Sequence, residues 1–344
     1  MVIRRQNGNT VARRLGRLYA AWPDAVQVSH WLRDLGHDVY FVGGAVRDTL
    51  CEMQASDVDL ATDAAPEQIH AVADINGIKT SSFHSHLGAI TLYFDNAPVT
   101  VTSLKRDHYV GDTLTVELTR SLHEDAARRD LTINAIYADI DGHIEDPVQG
   151  FEDLNRGIVR FIGCPHQRIG EDPLRILRYF RIRTGFCLWN RQTDDEILDA
   201  MRHRADRISD VSRERIGAEM QKLLNLPIIF PALVDMQTCG LLPHCLPGAD
   251  ISCIRRLEIY ERQVAAEPDW HRRMVVLGVT DPKANLRLRK SSARRLRRIG
   301  RWAAGAASLA ELTGILGSQD ALSVVLVRAA VSGEAPPDMT GGAG

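Results

Sequence analysis

The stretch from Val39 to Leu60 constrains this chain more than any other. The apolar run Val39 to Val42 stops at Gly43 and Gly44. Helical spacing follows from Val46 to Leu50, and SDVDL, Ser56 to Leu60, then sets two aspartates at alternate positions of a second strand. Alternation puts Asp57 and Asp59 on one face. Carboxylates so placed can bind magnesium, and two ions roughly 3.5 to 4 Å apart activate an attacking hydroxyl while neutralising a leaving pyrophosphate. Gly43 and Gly44, lacking side chains, let backbone N–H groups approach a triphosphate, and Arg47 adds positive charge. Each fragment alone has a plainer reading, since Asp-x-Asp is common on exposed strands and Gly-Gly is usually a turn.

An amphipathic stretch from Val11 to Leu35 predicts one or two helices ahead of this segment. Further strands are expected over Gly88 to Phe94, Val99 to Leu104, Leu114 to Leu118 and Ala135 to Ile140, giving a mixed sheet with helices over residues 1–145. Beyond Pro147 helical spacing takes over, at Pro173 to Arg183, Asp194 to Arg202, Ser212 to Leu224 and Ile254 to Ala266. Pro227, Pro231, Pro243 and Pro247 mark breaks. The expectation is an α+β chain: a catalytic head over 1–145, a helical neck over 146–225, a helical body and tail over 226–332, and a disordered Gly- and Pro-rich end over 333–344.

The 344 residues are 44% apolar and 25% charged, an ordinary globular balance, and the formal charge is only -2. Any RNA-binding surface must therefore gather its basic residues locally. Such a gathering runs from Leu286 to Arg301, with Arg287, Arg289, Lys290, Arg294, Arg295, Arg297, Arg298 and Arg301 and no acidic residue. A solvated helical face is the bland alternative. No C-x-x-C pair occurs among Cys51, Cys164, Cys187, Cys239, Cys245 and Cys253, and the N-terminal residues hold no apolar stretch of signal-peptide or membrane-span length, so a reducing cytoplasm is expected. Cys239, His244, Cys245 and Cys253 lie close in sequence, but their spacings match no common zinc pattern.

Joined at this spacing, FVGGAVRDTL (Phe41 to Leu50) and SDVDL resemble the signature of polymerase-beta-like nucleotidyltransferases. The form is GGxVRD...DxD, that of the class II tRNA nucleotidyltransferases, the family of CCA-adding enzymes and bacterial poly(A) polymerases. The resemblance continues through RRDLTINAIYADIDG (Arg128 to Gly142), DPVQGFEDL (Asp146 to Leu154), GEDPLRILRYFRIR (Gly170 to Arg183) and SRERIGAEM (Ser212 to Met220), covering roughly residues 38–225. It implies that Asp57 and Asp59 are the metal-binding catalytic pair, with Mg2+ as the cofactor, and that Gly44 and Arg47 bind nucleotide. Arg129 is implied as the sugar- or phosphate-contacting arginine of the RRD motif, which Asp130 and Asn134 complete. Glu171, Asp172 and Arg175 match the base-recognising EDxxR motif, and Arg178 and Arg181 match nucleotide-contacting positions. The implied partners are a tRNA 3' end, CTP and ATP, and the basic run is expected to track tRNA phosphates.

These residue types make sense independently of the resemblance. Cytosine and adenine each offer an amino donor beside a ring-nitrogen acceptor, so an aspartate accepts from the first while an arginine donates to the second. Uracil and guanine present the opposite pattern and are rejected. Asp172 and Arg175, three apart, are expected on one helical face, with Ile176, Leu177 and Phe180 facing the core. The chemistry implied is attack of an RNA 3' hydroxyl on the α-phosphate, catalysed by positioning and charge stabilisation. Glu117 is a candidate third carboxylate. One departure stands out: CCA-adding members commonly carry a DGRHP- or GRHA-like loop where this chain reads RDHYVGDTLTVELT, Arg106 to Thr119. The missing Arg-His element leaves addition of CC alone, or of poly(A), as alternatives within the family; a non-catalytic RNA-binding relative is the alternative outside it.

Overall fold

Hydrophobic alternation and helical spacing place the elements of a computed structural model, which describes residues 8–81, 88–110, 113–186 and 194–336. The chain divides into two units, residues 1–164 and 165–344. The first begins with α1 (Gly8–Ala21) and α2 (Pro23–Asp34), then β1 (Val39–Val42), α3 (Gly44–Leu50), β2 (Asp59–Thr62) and α4 (Pro66–Ile75). It continues with β3 (Lys79–Ser81), β4 (Ala89–Tyr93), β5 (Val99–Ser103), β6 (Lys105–Val110), β7 (Thr113–Leu118), α5 (Leu122–Arg128), β8 (Tyr137–Ala138), β9 (Ile144–Glu145) and α6 (Gly150–Arg156).

The first unit is built on a seven-stranded sheet in the order β3-β4-β5-β2-β1-β8-β9, with β6 and β7 forming a separate two-stranded ribbon. β2 runs parallel to β5 and antiparallel to β1. Phe41, Leu60, Ile90 and Val101 are fully buried, each stabilising the fold by about 1.5–3 kcal/mol. Helix α1 is tied to the C-terminal end of α3 by Arg14, which donates to the Leu50 carbonyl at 2.6 Å and pairs with Glu52 at 3.1 Å.

Several expectations shift. The strand expected to carry both aspartates starts at Asp59, and Asp57 lies in the bend before it. The strand expected over Ala135 to Ile140 shrinks to Tyr137–Ala138, because Thr132–Asn134 coils into a 3-10 turn and Asp139 accepts the N–H groups of Asp141 and His143 to turn the chain. Strands β3, β6 and β9 lie outside the expected strands, being short or rich in charge. Residues 146–164, expected in the neck, lie in the first unit, where Asp146 caps α6 by accepting from Gly150 and Phe151 N–H at 2.7 and 3.0 Å.

The described part of the second unit is helical: α7 (Pro165–Glu171), α8 (Leu174–Phe186), α9 (Asp195–Arg204), a 3-10 stretch Ala205–Asp210, α10 (Arg213–Leu224), α11 (Phe230–Thr238), α12 (Leu242–Cys245), α13 (Ile254–Gln263), α14 (Trp270–Leu277), α15 (Pro282–Asn285), α16 (Lys290–Ala303), α17 (Leu309–Leu316) and α18 (Ser318–Ser332). Pro231 and Pro243 open α11 and α12, where a missing N–H costs nothing. Arg273 on α14 is fully buried; it pairs with Glu261 on α13 at 2.7 Å and donates to the Leu224, Leu226 and Pro227 carbonyls, closing the C-terminal end of α10. α18 ends at Gly333, and residues 337–344 of the expected disordered end lie outside the described residues, as does Cys187. Among the described residues no helix is long and apolar enough to cross a membrane.

Candidate active site

Strand register brings the two aspartates to the glycine pair. β1 and β2 pair so that Val42 faces Asp59, which sets Asp59 beside the turn that leaves β1. Asp57 and Asp59 are exposed while Val58 between them is 2% exposed, so the carboxylates share the solvent side despite the late start of the strand. Gly43 takes φ 75°, a conformation that favours glycine, and serves as N-cap of α3. A Cβ at Gly43 would lie 3.9 Å from Asp59 Oδ2, and one at Gly44 would lie 3.9 Å from Asp57 Oδ1 and 3.7 Å from an Arg47 terminal nitrogen. Both carboxylates and the guanidinium therefore converge on backbone without side chains. The donor set is two hard carboxylate groups, the oxygen chemistry that divalent magnesium takes.

Arg47 links two distant motifs. It is 6% exposed, binds Asp48 through Nε at 2.9 Å and a terminal nitrogen at 2.8 Å, and donates to the Asn134 side-chain oxygen. Asn134 in turn donates to Asp130 Oδ1 at 2.9 Å. Arg129 hangs from Asp125 on α5 at 3.0 and 3.1 Å and from the Tyr137 hydroxyl at 3.0 Å, with its guanidinium carbon 5.1 Å from the centre of that ring. Burial opposes charge on Arg129, yet Tyr137 and Asp125 hold its pKa above the ordinary value. Burial pushes the Tyr137 phenol up, keeping it a donor to Asp125 at 2.8 Å. Because Tyr137 faces Val42 across β1 and β8, this cluster stands at the same end of the strand as Gly43. Asp153 braces the motif from behind, accepting from the Thr132 hydroxyl at 2.6 Å and from Arg160 at 2.7 and 2.8 Å.

In the second unit Asp172 lies just ahead of α8 and not on it, accepting the Leu174 N–H at Oδ1 over 3.1 Å. Its Oδ2 accepts from Arg215 on α10 at 2.8 Å. Arg175 donates to Glu171 at 2.6 Å and to the Arg168 carbonyl at 3.0 Å. Burial works against the Glu171 carboxylate, but Arg168 and Arg175 together keep its pKa below the ordinary value. Arg175, Arg178 and Arg181 recur every third residue on a half-buried stripe opposite buried Ile176, Leu177 and Phe180, and Arg181 meets Glu219 on α10 at 2.6 Å. Arg215 and Glu219 belong to SRERIGAEM, whose text names no role for them; their function is visible only once α8 packs on α10.

Comparison with known proteins places the chain in a family. A family model described as "Poly A polymerase head domain" matches residues 39–160, and one described as "Probable RNA and SrmB- binding site of polymerase A" matches residues 192–252. The CCA-adding enzyme of Geobacillus stearothermophilus is 34% identical over 330 residues, spanning 91% of this chain and 79% of the relative. That of Streptococcus gordonii is 31% identical, spanning 81% of this chain and 70% of the relative. The chain belongs to the CCA-adding enzyme family. A crystal structure of the Bacillus stearothermophilus CCA-adding enzyme in complex with CTP superposes with a TM-score of 0.73 at 32% identity, covering 92% of this chain and 79% of that one. Membership makes the protein a nucleotidyltransferase of the polymerase-beta type, with the α+β fold of its family.

Other expected features of this family member find different places. Lys290, Arg294, Arg297 and Arg301 line one exposed side of α16, with no hydrogen-bond or ion-pair partner among the described residues. Arg289 is the N-cap of that helix, and Arg287 sits 3.8 Å from Glu214. Arg295 is committed to the interior of the unit: it binds Asp269 at 2.6 Å and Asp320 at 2.7 Å, joining α16 to α14 and α18, and Arg298 also meets Asp320. Glu117 lies on the β6–β7 ribbon, outside the sheet that bears Asp59, and is bound by Arg106 at 3.0 Å. Burial pushes the Cys245 thiol up to about 12, so it behaves as a packed apolar group. Asp139, Asp141 and His143 are close enough to share a cation, but there Asp139 accepts from both neighbours' N–H groups at 2.9 Å and Asp141 pairs with Arg33 at 2.9 Å, which is the bonding of a closed turn.

Proposed function

We propose that this protein is a tRNA nucleotidyltransferase that adds C, C and A to the tRNA 3' end from CTP and ATP, releasing pyrophosphate. The observation that carries the reading is the convergence of Asp57, Asp59 and Arg47 on the bare backbone of Gly43 and Gly44, in a chain 34% identical to a CCA-adding enzyme along most of its length. Asp57 and Asp59 are the residues to hold Mg2+, which when bound lowers the pKa of the attacking hydroxyl and screens the leaving pyrophosphate. Gly43 and Gly44 admit the triphosphate to the backbone. Arg47, held by Asp48 and Asn134, adds fixed positive charge there, and Asp130 keeps Asn134 in place. Arg129, oriented by Asp125 and Tyr137, meets sugar or phosphate.

Selection of the base falls to the part of the neck that lies in the second unit, residues 165–225. Asp172 accepts from the amino group of C or A and Arg175 donates to the ring nitrogen, with Glu171, Arg178 and Arg181 fixing the pair and the nucleotide. Body and tail, residues 226–332, hold the RNA through the α16 stripe. A cytoplasmic enzyme is the reading for location. The test is to sequence the products formed on tRNA transcripts ending before CCA, at CC and at CCA, with all four nucleotides supplied. Completion to CCA and no further supports the proposal. A second reading, addition of CC alone, is favoured by the Arg106 to Thr119 segment without the Arg-His element; it predicts products that stop at CC. Long A tails point instead to poly(A) synthesis.

A further inference from the structure

Lys105 opens β6 in an unusual setting. It is 8% exposed, and its ammonium has no hydrogen-bond or ion-pair partner among the described residues. Its tip lies over Gly88, where a Cβ would come 2.6 Å from Lys105 Cε and 3.0 Å from Nζ, and Gly88 takes φ 63° besides. Real Cβ atoms do not approach so closely, so glycine is what lets the ammonium rest there. The same Cβ would lie 3.7 Å from the Cβ of Ser103, a residue 1% exposed whose hydroxyl is buried without a partner among the described residues. The surrounding charges come from α5. Arg128 and Arg129 are near enough to repel Lys105 and Asp125 to attract it, but Asp125 already receives the Lys105 backbone N–H at 3.3 Å, Arg129 at 3.0 Å and Tyr137 at 2.8 Å.

Around Gly88, then, the Lys105 ammonium and the buried Ser103 hydroxyl both lack an acceptor among the described residues, and two guanidinium groups stand near enough to act on the ammonium, which together form half of a bonding arrangement. We infer that Lys105 and Ser103 are a phosphate-oxygen subsite that extends the Arg129 contact surface to a substrate oxyanion. The inference rests on the proposed nucleotidyl transfer, and the phosphate belongs either to the RNA 3'-terminal backbone or to the nucleotide triphosphate. A lysine side chain drawn largely out of water, with no acceptor for its ammonium among the described residues, is costly to the empty protein. Burial, with Arg128 and Arg129 against the opposing pull of Asp125, lowers the Lys105 pKa to about 8, the direction a bound oxyanion reverses. A structural lysine is expected to stabilise the fold; this one is placed to weaken it in exchange for binding.

The test compares wild type with Lys105→Met and Lys105→Gln, measuring equilibrium binding of CTP, binding of tRNA that lacks its 3' CCA, and melting temperature at pH 7. The expected result is that one of the two affinities falls about tenfold or more while the melting temperature holds or rises, since a charge-assisted contact is lost and a strained charge removed. A loss confined to tRNA assigns the backbone phosphate, and a loss confined to CTP assigns the triphosphate. Both affinities unchanged within about twofold overturn the subsite. A lowered melting temperature in both variants also overturns it, in favour of a packing role. Binding is read without turnover, so a wild-type protein that binds both substrates yet incorporates nothing counts against the proposed function and leaves the subsite to be judged on affinity.

Discussion

Arg215 on α10 reaches Asp172 in the link ahead of α8, its guanidinium donating to Oδ2 at 2.8 Å while the Leu174 N–H occupies Oδ1 at 3.1 Å. The acid assigned to read the amino group of the base thus arrives already oriented, with each oxygen keeping one lone pair for a ligand. A neighbouring link, Arg181 on α8 to Glu219 on α10 at 2.6 Å, ties those two helices together. Arg215→Ala is expected to free Asp172 to rotate without touching the nucleotide. Incorporation of UTP and GTP relative to CTP should rise about tenfold, the scale of one charged hydrogen bond. Single-nucleotide incorporation assays measure this, and an unchanged ratio means that the Leu174 cap alone orients Asp172.

Much of this site could be read before the fold was known, and the reason is periodicity. Asp57 and Asp59 flank an apolar Val58, and a period of two places them together whether or not the strand has begun at Asp57. The stripe of Arg175, Arg178 and Arg181 follows from helical spacing in the same way. What escaped is whatever depends on which element packs on which. Asp125 and Tyr137 are ordinary residues until β8 pairs with β1 and brings them to Arg129. The β6 strand is not legible in the sequence because Lys105, Arg106 and Asp107 read as polar loop, although five of its residues pair regularly with β7 after Lys105 does. Arg295 looked like its basic neighbours because Asp269 and Asp320, its partners, lie 26 and 25 residues away in sequence.

Arg273 supports the second unit without approaching the chemistry. Arg273→Met leaves Glu261 with one arginine fewer and strips a donor from the carbonyls of Leu224, Leu226 and Pro227. Removing one partner of a buried pair costs about 3–5 kcal/mol. Denaturant unfolding should show a loss of that order, with activity per folded molecule retained; a loss under about 1 kcal/mol means the site is hydrated and the charges screened.

The α16 stripe and the buried arginine beside it are expected to part company. Arg297→Ala and Arg301→Ala should each lower the slope of log affinity for tRNA against log salt by about 0.7–0.9, with little change in stability. Arg295→Ala should instead lower stability, because Asp269 and Asp320 lose their shared cation. Its carboxylate partner Asp269 has a pKa held below the ordinary range, burial being outweighed by His271 and Arg295. Stability from that group is full above the unfolded value and is lost as pH falls through the folded one. Equal salt slopes for wild type and both stripe variants contradict the RNA-facing role.

The central claim is that Asp57 and Asp59 together hold the divalent metal that makes nucleotidyl transfer possible. Its most direct test is incorporation of radiolabelled CMP into tRNA lacking its 3' CCA, over a titration of Mg2+, for wild type, Asp57→Asn and Asp59→Asn, with tRNA binding measured alongside. The expected result is Mg2+-dependent incorporation by wild type and a loss of about a thousandfold or more in each variant with tRNA affinity intact, a scale set by removing preorganised charge stabilisation. Either variant turning over at the wild-type rate contradicts the account.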